Sequence, residues 1–157
     1  MNNQMNELKV VEIDKVIVTE ILLPEEALKL PLPLFLESVS AGFPSPADDY
    51  IEGKLDLNDY LVRNKLSTFF VRVTGDSMKD VGIYSGDLLI VDRSLTPKEA
   101  SIVIAIINGE LLVKRMHHEN NKLYLLPENK NYQALEVTQE MNFDVWGVVT
   151  NVIHSVV

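Results

Sequence analysis

The chain has 157 residues, a net charge of −9 and 46% hydrophobic residues, enough apolar material for the core of one domain and too much for a disordered or collagen-like chain. It contains no cysteine, which excludes disulfides, thiolate metal sites and cysteine nucleophiles and points to a reducing cytoplasm. Residues 1–41 carry seven acids and three bases and residues 42–157 sixteen and eleven, with no basic tail or stripe, so direct sequence-specific DNA binding is not expected.

No apolar run approaches the roughly 18–20 residues of a membrane helix, and the first seven residues lack the basic and apolar regions of a secretory signal. Lys9–Leu23 is rich in Val and Ile and reads as extended chain. Pro24-Glu25-Glu26 suits a short helix start that Pro31 would end, and Leu34–Ser40 is a helical turn or a short strand. Gly42, Pro44 and Pro46 mark an exposed hinge over residues 42–52, which leaves residues 1–41 as an arm. Within 49–64 the apolar spacing predicts a short helix capped by Asp56 or Asn58. Thereafter the period becomes that of strands: Thr68–Thr74, Asp87–Asp92, Ser101–Ile107, Gly109–Met116, Leu123–Leu126, Phe143–Val149 and Val152–Val157. Asn108-Gly109 is a hairpin signal, and turn residues recur every eight to twelve positions, the rhythm of a mainly β domain.

Few residues have the chemistry of a catalyst. Ser77 lies in Gly75-Asp76-Ser77-Met78, directly after a strand, where a glycine-bearing turn can expose a hydroxyl, although all three of Gly, Asp and Ser also favour plain turns. A serine nucleophile needs a base. His117 and His118 are expected in a solvated turn and His154 near the C-terminus, with no recognisable spacing to a carboxylate and no metal-ligand pattern. The other base available to a serine is a lysine whose charge is disfavoured by burial. Lys114, in Leu111-Leu112-Val113-Lys114-Arg115-Met116, is the best match. Alternation sets Leu112, Lys114 and Met116 on one face and Leu111, Val113 and Arg115 on the other. It does not say which face is buried, and an edge strand carrying solubilising charges fits the pattern as well.

Taken jointly, six stretches carry a resemblance. GFPSPADDY (42–50), GDSM (75–78), SGDLLIVD (85–92), GELLVKR (109–115), LLPEN (125–129) and VWGVV (145–149) resemble, in order and interval, the peptidase domain shared by LexA-type repressors and UmuD-type mutagenesis proteins. The resemblance implies a mainly β fold of several small, mostly antiparallel sheets, with residues 1–41 as an extended arm and 42–157 as a peptidase and dimerisation domain. It implies Ser77 as nucleophile, Lys114 as general base and a single self-cleavage at Ala41-Gly42, with no cofactor and no metal. It further implies a homodimer, stimulation by a RecA filament on single-stranded DNA, and a cleaved form that joins a Y-family, UmuC-like polymerase subunit for error-prone translesion synthesis in the SOS response. The arm is longer than the usual pattern by Lys9–Leu23. A LexA-like repressor would need a helix-turn-helix module that a 41-residue acidic arm does not accommodate. A signal peptidase would need a membrane anchor. A non-proteolytic dimeric adaptor of a repair polymerase remains the alternative from a different class, distinguished by having no use for Ser77, Lys114 and Ala41-Gly42 together.

Overall fold

The computed structural model describes residues 17–22, 32–35 and 51–157. Its elements are β1 (Ile17–Leu22), β2 (Leu32–Phe35), β3 (Ile51–Leu55), α1 (Leu57–Leu61), β4 (Thr68–Thr74), a 3-10 turn (Lys79–Val81), β5 (Leu88–Asp92), β6 (Ile102–Ile107), β7 (Glu110–Glu119), β8 (Lys122–Leu126), β9 (Leu135–Val137) and β10 (Phe143–Ile153). The fold is mainly β, and every strand pairing is antiparallel among the described residues. Most strands join one eight-stranded sheet in the order β1-β4-β5-β10-β6-β7-β8-β9, and β2 and β3 form a second, two-stranded one. A further pairing of Ile17 in β1 with Leu112 in β7 closes the large sheet on itself.

Alternation explains where the core sits. On β6, Val103, Ala105 and Ile107 face one buried cluster, which includes Leu112, Met116 and Leu125. Ile104 faces the other, with Phe69, Val71, Val73, Met78, Leu89, Val91 and Val113. The β6–β7 pair is therefore a wall with apolar packing on both sides, which is why its strands read as nearly continuous apolar runs. The hairpin between them turns at Asn108 and Gly109, at φ of 50° and 86°, a left-handed pair that suits an Asn-Gly dipeptide.

Several sequence expectations shift. Of Lys9–Leu23, Ile17–Leu22 forms a strand, and the remainder lies outside the described residues, as does the helix start at Pro24. Residues 32–35 are strand. The short helix is α1, and its cap is Asp56, whose carboxylate accepts the Asn58 N–H at 2.8 Å. Strand β7 runs on to Glu119, so His117 and His118 lie in a strand and not in a turn. Strand β10 is continuous through residues read as two segments, with a register shift between Val149 and Asn151. Ile51 and Glu52, placed in the hinge by the sequence, belong to β3. β1 and β2, both from the arm, are paired to strands from the body of the chain, β4 and β3 respectively.

Candidate active site

Strand β4 delivers the chain to Gly75, whose φ of 98° bends it out of the sheet and into the turn that carries Ser77. The turn is pinned from behind by the segment after β8. The Glu128 N–H donates to the Ser77 carbonyl at 2.8 Å, and the Glu128 carbonyl accepts from Asp80 N–H at 2.9 Å. The buried Asn129 side chain donates from Nδ2 to the Asp76 carbonyl at 3.0 Å while its Oδ1 takes the Asn131 N–H at 3.0 Å. Tyr132 donates its hydroxyl to the Asp76 carboxylate. The Asp76 and Ser77 carbonyls, on either side of the Ser77 Cα, are thus both held by residues 128–129.

Lys114 comes from β7. It pairs with Val103 of β6 on one side, so β7 is an interior strand and the edge-strand alternative fails. The other edge of β7 is shared: Leu112 meets β1, and β8 pairs from Arg115 onward. Lys114 sits at this fork. Its Nζ lies 2.9 Å from Ser77 Oγ, Ser77 is fully buried, and Lys114 is 3% exposed. With water excluded, the ammonium loses solvation and the Lys114 pKa falls from 10.5 to about 8. Arg115, the neighbour on the opposite face, is paired with Glu128 and donates from Nη1 to the Ala100 carbonyl at 2.6 Å. That contact, with Ala100 N–H on the Met116 carbonyl at 3.1 Å, holds Ala100 at a left-handed φ of 64°. The residues Asn129, Tyr132, Arg115 and Glu128 were not singled out by sequence reasoning as site residues. The LLPEN stretch contained two of them, but a motif match alone assigns no contact.

The histidines lie elsewhere, and they do meet carboxylates. His117 and His118 both hydrogen-bond through Nδ1 to Glu99, at 2.6 and 3.0 Å, and these bonds hold the Glu99 carboxyl down at about 2. His154 Nδ1 is 2.7 Å from Asp87 Oδ1. None of the three hydrogen-bonds to Ser77. Among the described residues no group of three His, Asp or Glu side chains is arranged to hold a metal, and no helix is long and apolar enough to cross a membrane. Ala41 and Gly42 lie outside the described residues.

Comparison with known proteins decides the family. The model for the Peptidase S24-like family matches residues 33–150. The chain belongs to the S24-like peptidases. Among S24-like relatives, Protein SamA of Salmonella typhimurium is 46% identical over 131 residues, 83% of this chain and 91% of its own length. Protein MucA of Escherichia coli is 43% identical over 121 residues, 76% and 82% of the two chains. Protein ImpA of Shigella flexneri is 44% identical over 123 residues, 78% and 83%. The UmuD-type resemblance read from the six motifs agrees with this membership. β1 precedes the stretch that the S24 model matches.

Proposed function

We propose that the chain is a self-cleaving serine peptidase that cuts its own Ala41-Gly42 bond, with Ser77 as nucleophile and Lys114 as general base. The observation that carries this reading is the buried 2.9 Å contact between Lys114 Nζ and Ser77 Oγ. When Lys114 is neutral, its lone pair accepts the Ser77 hydroxyl proton as Oγ attacks the Ala41 carbonyl carbon. The oxyanion that forms is met by backbone N–H groups around Ser77. Collapse breaks the Ala41–Gly42 bond, and the Lys114 ammonium returns the proton to the departing Gly42 nitrogen. Water, deprotonated by the same amine, then releases Ala41 as a carboxylate. Because the substrate is the chain's own arm, proximity supplies much of the rate and each molecule cuts once.

The wider role follows the UmuD-type resemblance. A RecA filament on single-stranded DNA stimulates cleavage, and residues 42–157, as a homodimer, serve a UmuC-like polymerase in error-prone translesion synthesis during the SOS response. The test is intact mass after incubation at about pH 10, near the ordinary lysine pKa. Fragments of 41 and 116 residues are expected from the wild type and from neither Ser77→Ala nor Lys114→Ala. Cleavage persisting in Ser77→Ala removes Ser77 from the mechanism. A folded wild type that stays whole, with and without RecA filaments, leaves the non-proteolytic adaptor.

A further inference from the structure

Access to Ser77 depends on two strand edges. β4 ends at Thr74, three residues before Ser77, and the outer edge of β7 is open to a partner up to the start of β8 pairing at Arg115. An extended peptide brought to Ser77 has these two edges to pair with. β1 takes both. Ile17 pairs with Thr74 of β4 and with Leu112 of β7, two residues before Lys114, and the β1–β4 ladder runs on to Leu22 opposite Phe70.

What holds β1 there is mostly backbone. Among the β1 side chains described, Val18 packs on a core cluster, half-buried, while Ile17 and Ile21 remain 49% and 44% exposed. The register slips between Val18 and Glu20, and the Glu20–Arg72 ion pair at 3.0 Å is solvent-exposed, where such pairs contribute little. A strand that meets β7 at a single register position, and whose described side chains are mostly exposed, opens at lower free energy than the core strands. We infer that β1 is an intramolecular blocking strand: it fills the peptide lane between β4 and β7 beside Ser77, and the scissile part of the arm pairs there only after β1 has left. The consequence for cutting rests on the peptidase reading, whereas occupancy of the lane does not.

The absence of cysteine from the chain makes occupancy measurable, because Ser77→Cys introduces a single thiol. The rate at which iodoacetamide alkylates this thiol is compared in the full chain and in two further full-length variants. Val18→Asp sets a carboxylate against the apolar cluster, and Ile21→Pro sets a proline, which disfavours a paired strand, at an exposed position of the β1–β4 ladder. Both are expected to raise alkylation about tenfold or more, since opening of the strand limits access. Adding a synthetic peptide of residues 15–24 to either variant is expected to slow alkylation again. With Ser77 retained, both variants are expected to cut themselves faster at about pH 10, near the ordinary lysine pKa. Equal alkylation in all three chains, with circular dichroism unchanged, overturns the inference. Faster alkylation with slower cutting overturns the blocking role and makes β1 a support for the site. Faster alkylation with no cutting in any chain upholds the occupied lane and sinks the peptidase reading instead.

Discussion

Lys114 and Ser77 set opposing demands on one buried contact. A lysine that is to remove a proton has to be neutral, yet at neutral pH its ordinary pKa keeps it charged. Burial at the fork of β7 lowers that pKa to about 8, so at pH 7 about one tenth of the molecules hold the base form. The sign is fixed by this direction of shift: raising pH deprotonates Lys114 and raises the rate. Self-cleavage is expected to climb about tenfold per pH unit below 8 and to level off above it, measured as the initial rate of loss of intact mass. A rate that is flat from pH 6 to 8 would remove Lys114 from the role of base. Residue type and motif singled out Ser77 and Lys114, but their burial was not legible there. Alternation along Leu111–Met116 is symmetric between the two faces, and β7 turned out to be packed on both. In the structure Lys114 is 3% exposed on a strand paired along both edges.

The segment 125–132, together with the turn it braces, acts as one element. Asn129 is the centre of it, joining the Asp76 carbonyl to the Asn131 N–H through one side chain. Replacing Asn129 by Ala leaves both groups without that partner, at a cost of about 1–3 kcal/mol in stability. A turn free to shift by an ångström is expected to lower the cleavage rate about a hundredfold. If Asn129 positions Ser77 rather than tuning the base, the midpoint of the pH profile stays where Lys114 sets it, while the plateau falls. A midpoint that moves with the plateau would give Asn129 an electrostatic part instead. Elements of this kind are hard to read from sequence because they are irregular: their hydrogen bonds run from side chain to main chain across 53 positions and leave no period. Regular strands were easier, with β4, β5 and β6 bounded within one residue of the expected ends. β9, three residues long, gave too little pattern to see. The extension of β7 was hidden by its polar His117-His118-Glu119 end, although Asn120-Asn121, both at positive φ, is the sort of two-residue turn that marks a hairpin.

At the scale of the molecule, the sheet is spliced together by β10, which pairs with β5 on one side and β6 on the other. No local signal announces such pairings, since they join positions far apart in the chain. One residue does record how closely the strands approach. A Cβ on Gly147 would stand 2.6 Å from Val91 Cγ1 and 3.2 Å from the Asp92 carbonyl oxygen. Gly147→Ala therefore has to push β10 away from β5 and is expected to cost about 1–3 kcal/mol, read as a lower urea midpoint with an unchanged slope. A midpoint equal to that of the wild type would mean that Val91 yields freely and that the approach is not tight.

The position of β10 also bears on when the proposed Ser77–Lys114 pair can assemble. Ser77 hangs from the half of the sheet built on β4 and β5, and Lys114 belongs to the half built on β6 and β7. Translation delivers Ser77 and Lys114 before Phe143–Ile153, the strand that splices the two halves. A growing chain on the ribosome thus carries Ser77, Lys114 and residues 1–41 while the sheet is still incomplete. On the peptidase reading proposed above, Ser77 and Lys114 gain their complete frame only once β10 has joined the two halves that β1 also bridges.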